Sequence, residues 1–138
     1  MASDSVYSAI RTHLETAWTA TPLVFENEGD APDFTPWVYV EAAGGFYDAA
    51  SIGAGTPQDN LYREEGVVFL WIFVPGGTGT TLARQYAKQM ADVFRGLELS
   101  AGTLRFESMS IVLGESTERD GPWWRIGVTV DYQKDHTG

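Results

Sequence analysis

Four groups of residues in this 138-residue chain have types and spacings that chemistry could use. The first is FVPGGTGT, residues 73–80, between the apolar run GVVFLWIF and the helical pattern LARQYAKQMADVF. A glycine-rich turn from strand to helix is a common phosphate cradle. The full phosphate loop also needs a lysine for the terminal phosphates, followed by a hydroxyl for magnesium. Here no lysine follows; the first basic residue is Arg84, one turn into the helix. A GxGxxG fingerprint is missing, and no second strand–helix unit completes a mononucleotide fold. We read the stretch as a tight turn, with Thr78 or Thr80 capping the helix.

The second group is the acidic run ENEGDAPD, with Glu26, Glu28, Asp30 and Asp33. A calcium loop places glycine sixth and a bidentate glutamate twelfth. Here glycine is fourth and the twelfth residue is Trp37, so the run reads as a solvated loop. The third is the pair of histidines, His13 and His136. No second histidine or carboxylate stands at ligand spacing, and no G-x-S-x-G elbow supports a catalytic triad. Both read as surface or edge histidines. The fourth is Arg63-Glu64-Glu65 with Glu115, Glu118 and Asp120. Paired carboxylates can do acid–base work. Here they fall in loops, where solvated charge or salt bridges across a subunit interface is the expected use. No catalytic residue, metal site or cofactor is expected.

The elements that would position these groups follow from periodicity. Val6, Ile10, Leu14 and Trp18 recur every four residues, which places them on one helical face, with Ser3 or Asp4 as cap. Leu23 to Glu26 is a short strand and 26–36 a loop. Trp37 to Ala42 is a strand, and 43–60 is too rich in glycine for a regular element, although Ala50 to Ile52 could pair briefly. Leu61 to Val74 is the strongest strand. Val67, Phe69, Trp71 and Phe73 line one face and Val68, Leu70, Ile72 and Val74 the other. Both faces are apolar, so a helix or another subunit must cover each. Thr80 to Arg95 is a helix with the stripe Leu82, Tyr86, Met90, Val93, Phe94 and the left-handed cap Gly96. Thr103 to Leu113 and Trp123 to Gln133 are strands joined by the polar loop 114–122. The order α-β-β-β-α-β-β predicts an α+β fold: a mostly antiparallel sheet of about five strands with two helices on one face. We expect a single domain over residues 1–138.

Adjacent strand residues face opposite sides, so of Trp123 and Trp124 one belongs in the core and the other is exposed or at a contact. Phe46 and Tyr47 sit in the glycine-rich stretch, and aromatic residues there suit interface anchors. The candidate subunit or partner interface is therefore Phe46, Tyr47, Leu61, Tyr62, Arg63, Glu64, Trp123 and Arg125.

Totals bound the class. The chain has nine Lys and Arg against nineteen Asp and Glu, a net charge of -10, and no cysteine. Phosphate backbones repel such a chain, so specific nucleic-acid binding is not expected. Disulfides and thiolate chemistry are excluded. MASDSVYSAI does not read as a signal peptide and no apolar run approaches the ~20 residues of a spanning helix. The expectation is a soluble protein made in the cytoplasm.

Several short stretches, in order, resemble the tail terminator family of long-tailed bacteriophages, whose relatives occur in prophages and gene-transfer agents. They are Thr35-Pro36-Trp37-Val38, Ser51-Ile52-Gly53-Ala54-Gly55, Arg63-Glu64-Glu65-Gly66, and Val74-Pro75-Gly76-Gly77-Thr78-Gly79 entering a helix with Ala91-Asp92. The resemblance spans roughly residues 4–133; the loop 114–122 departs from it. It implies a structural protein without enzymatic activity or cofactor. Such a protein forms a hexameric ring on the head-proximal end of the tail tube of the virion, stops growth of the tube protein and presents a surface to the head connector. DNA passes the lumen unbound, which an acidic chain favours. The alternatives are another neck or tail-tube subunit, or a small acidic enzyme or ligand-binding module.

Overall fold

The structure, a computed structural model, describes residues 4–26, 36–49, 61–77, 79–100, 102–117 and 123–137; at 45–49, 61, 112–117 and 137 it describes the backbone alone. Along the chain come α1 (Asp4–Ala17), β1 (Leu23–Phe25), β2 (Trp37–Ala49), β3 (Leu61–Pro75), α2 (Thr81–Phe94), β4 (Glu98–Leu99), β5 (Leu104–Thr117) and β6 (Trp123–Thr137). Among the described residues the six strands make one sheet in the order β1-β2-β3-β6-β5-β4. β1 runs parallel to β2, and every other pair is antiparallel. The fold is α+β, as expected, but the sheet has six strands rather than about five, is mixed, and places three strands after α2. The additional strand, β4, has two residues, too few to show a period.

Three boundaries also move. β2 continues through the glycine-rich stretch to Ala49, and its register shifts between Gly44 and Phe46. Glycine tolerates the extra residue of a bulge, so the stretch bends the strand without ending it. The Ala50 to Ile52 pairing lies outside the described residues. β5 continues to Thr117, so the first part of the 114–122 segment is strand. β6 continues to Thr137, which places His136 in the sheet instead of in a tail.

Alternation sorts the long strands into two layers. Val38 and Val40 of β2, Val68, Leu70, Ile72 and Val74 of β3, and Ile126, Val128 and Val130 of β6 are buried beneath the helices. Burying each such side chain stabilises by about 1.5–3 kcal/mol. From α1, Val6, Ile10 and Leu14 enter this core, with Trp18 just past the helix end. The Trp18 indole donates to Thr21 Oγ1 at 2.9 Å, so the buried ring keeps a hydrogen bond.

The α2 stripe is rotated from the expected one. Ala83, Ala87, Met90 and Phe94 are buried, whereas Leu82 is 42% exposed and Tyr86 and Val93 are half-buried. Two alanines one turn apart let the helix axis approach the sheet, and a leucine at either place would hold it off. The helix ends as expected on Gly96, in the left-handed region at φ +70.

The FVPGGTGT turn serves chain geometry. Gly77 and Gly79 sit at φ +82 and +83, with open space where a Cβ would be. Only backbone conformation demands glycine there. Thr80 precedes the helix, but its side chain makes no capping bond and instead accepts from Arg84 Nε at 3.1 Å. Thr78 lies outside the described residues.

Candidate functional site

The helices cover one side of the sheet. The opposite side carries the odd residues of β2 as far as Ala43 and those of β3 and β6, and here apolar surface remains without a helix over it. At one end Trp37, Phe73 and Trp123 form a small buried cluster. Trp37 stacks on Phe73 with centroids 4.2 Å apart, and Trp123 meets Trp37 edge-on at 6.2 Å. Trp37 Nε1 is buried and has no hydrogen-bond partner among the described residues.

Next along the strands lies Trp71, held from several directions. Its Nε1 donates to Glu41 Oε1 at 2.8 Å. The Arg125 guanidinium sits 4.5 Å from its ring centroid, a cation–π contact, and Phe69 lies parallel at 6.1 Å. Beneath it is Gly127, where an added Cβ would come within 2.7 Å of the indole. Beside it Tyr39 is half-buried, and burial first, then the Glu41 charge, raise its phenol above the usual range.

Beyond Phe69 the face opens into a groove of about 540 Å³. Ala43, Val67 and Phe69 make its apolar floor, and Glu65, Glu107 and Asp131 its acidic rim. Past the groove, Asp135 joins two arginines: Arg63 Nε at 2.8 Å and Arg105 Nη2 at 2.9 Å. The Arg63 hydrogen bond above all, reinforced by Arg105, holds the Asp135 carboxyl below the usual range.

The expected site residues are therefore scattered. Arg63, Trp123 and Arg125 lie on the open face, but Trp123 is only 7% exposed, packed by its own chain. Its neighbour Trp124 is half-buried against the main core. Glu64 points the other way. It is 4% exposed inside β3, and accepts from Tyr132 Oη at 2.6 Å and pairs with His136 Nε2 at 3.2 Å. This corrects the view that Glu64 is solvated, that Glu64 and Glu65 sit in a loop, and that His136 has no carboxylate near it; Glu65, also in β3, is exposed. Burial first, and then Glu64, raise the Tyr132 phenol far above its usual range. Tyr62 is half-buried opposite His136. Phe46, Tyr47 and Leu61 belong to β2 and β3, with the backbone alone described. His13 is an edge residue that bridges the helices, its Nε2 3.1 Å from the Val93 carbonyl oxygen. Of the acidic loop, Glu26 is described and accepts from the Ala42 amide, completing the β2 edge where β1 ends. Glu28, Asp30, Asp33, Glu118 and Asp120 lie outside the described residues.

Glu41, Phe69, Trp71 and Gly127 were not among the expected site residues. The signal was present: the alternation of β3 already placed Val67, Phe69, Trp71 and Phe73 on one apolar face, and an isolated glycine in a strand marks a close approach. Among the described residues no group of His, Cys, Asp or Glu could hold a metal ion, and no helix is long and apolar enough to cross a membrane.

The fold is an α+β sheet with helices over one face and apolar and aromatic residues on the other. Residues 5–132 match the family described as phage tail terminator protein. The chain belongs to this family, and its role is that of a structural component of a phage tail. A solved structure whose name describes no function is similar in fold, with TM-score 0.68 and 18% identity, covering 100% of this chain and 99% of that one. No curated protein matches the chain.

Proposed function

We propose that this protein forms a closed, hexameric ring on the head-proximal end of the tail tube. The ring ends polymerisation of the tube protein and gives the head connector a surface to join. The match to the terminator family over nearly the whole chain carries this reading. The open sheet face supports it, since a ring needs head-to-tail contacts that close and half-buried aromatic surface suits them. The net charge of -10 supports a lumen through which DNA passes without adhering. The protein acts without catalysis or cofactor.

The test is electron microscopy of particles assembled with the gene disrupted, scoring tail length. Overlong tails of variable length, unattached to heads, are expected. Normal tails on filled heads would overturn the reading, and full heads without tubes would point to a tube subunit instead.

A further inference from the structure

The groove on the open face and the outer face of α2 are complementary in charge. The groove has an apolar floor at Val67 and Phe69 under an acidic rim. Among the described residues neither Glu107 nor Asp131 is in an ion pair. The outer face of α2 has the reverse character. Arg84 and Lys88 stand there, with Arg95 just past the helix end, against one carboxylate, Asp92, which Lys88 and Arg95 share. Arg84 bonds a neutral hydroxyl, that of Thr80. Three of the chain's nine basic residues thus gather on and just past the exposed side of one helix in a strongly acidic protein.

Direction matters as much as charge. α2 packs on one side of the sheet and the groove opens on the other, so one copy cannot bring its own two patches together. A two-fold contact would set like against like, helix on helix or groove on groove. A head-to-tail contact uses each patch once per copy and repeats around a ring.

We propose that the outer face of α2 seats in the acidic groove of the next copy of this chain, with Arg84 and Lys88 against Glu107 and Asp131. This rests on the ring reading given above, and it names the surfaces that close the ring.

Lys88 and Lys134 are the chain's two lysines, which makes cross-link mapping simple. The wild-type protein is treated with a zero-length carbodiimide at micromolar concentration, with and without purified tube ends, and its mass distribution is followed by native mass spectrometry. The expected product is an oligomer in which Lys88 of one copy is joined to Glu107 or Asp131 of another. In parallel, R84E/K88E and E107K/D131K should each weaken self-association by about tenfold or more, and the fourfold variant should recover it, because opposed charges exchange places. E15K, an exposed reversal away from both patches, should leave assembly unchanged. Circular dichroism confirms that each variant folds. Rings that form with Lys88 linked elsewhere, or that survive both reversals, would overturn this interface and leave the ring reading standing. Wild-type protein that stays monomeric even with tube ends would overturn both.

Discussion

The indole of Trp71 lies flat over Gly127, so close that a Cβ on Gly127 would stand 2.7 Å from Cζ3 and 2.9 Å from Cε3. These distances are shorter than carbon atoms tolerate. Strand β6 therefore carries glycine where β3 carries its largest side chain, and the two are paired in register. Gly127→Ala should push Trp71 off its Glu41 bond and its Arg125 contact, at a cost of about 1–3 kcal/mol. G127A with Trp71→Leu should melt closer to its own single-mutant parent, W71L, than G127A melts to wild type. Urea unfolding of the four proteins measures this coupling, and additive effects would show that the contact does not matter.

Trp37 and Trp71 share a face but differ in their N–H groups. Trp71 bonds Glu41, whereas Trp37 Nε1 is buried without a partner among the described residues. W71F should cost more stability than W37F, by about 1–2 kcal/mol, because it leaves the Glu41 carboxylate without its donor. Chemical denaturation of the two variants decides it; equal losses would mean that Trp37 finds an equivalent partner.

Tyr132 closes over Gly66 and donates to the buried Glu64. Removing that hydroxyl deprives a carboxylate with little access to water of a donor. Tyr132→Phe should destabilise by about 1–3 kcal/mol although it removes one atom. The thermal midpoint should fall by roughly 3–10 °C for a domain of this size. An unchanged midpoint would show that the His136 contact suffices.

Asp135 gives a pH signature. Its arginine partners lower its folded pKa below the unfolded value. Its contribution is then present above the unfolded value, about 3.9, and is lost as pH falls through the lower folded pKa. Wild type should exceed Asp135→Asn in stability at pH 6, and the gap should narrow steadily below about pH 4. Urea midpoints between pH 2 and 6 test this, and a constant gap would rule out ionisation as its source.

The glycines of the FVPGGTGT turn should behave as conformational residues only. Gly77→Ala and Gly79→Ala place a side chain at positive φ and should each cost about 1–2 kcal/mol. Magnesium and ATP should leave the melting temperature of wild type unchanged, since ligand that binds only the native state raises it. A rise of several degrees would reopen the phosphate-loop interpretation.

Much of this protein was legible in its residues. The four-residue spacing of Val6, Ile10 and Leu14 identified α1, and the double alternation of β3 identified a central strand with two apolar faces, because local periodicity repeats with the geometry of the element. The glycines at 77, 79 and 96 marked positive φ for the same local reason. The ordered motifs pointed to the terminator family, to which the chain does belong.

Tertiary structure alone decided the rest. Strand β4 is too short to carry a pattern and exists because Leu104 and Arg105 offer it an edge. The α2 stripe turned onto Ala83 and Ala87 because close packing on the sheet outweighed the hydrophobicity of Leu82. Glu64 and His136 are 72 residues apart. Their pairing, like the seating of Trp71 on Gly127, depends on the register between β3 and β6. Spacing along the chain reports which side of its own strand a residue faces; only the pairing of strands decides what lies beside it.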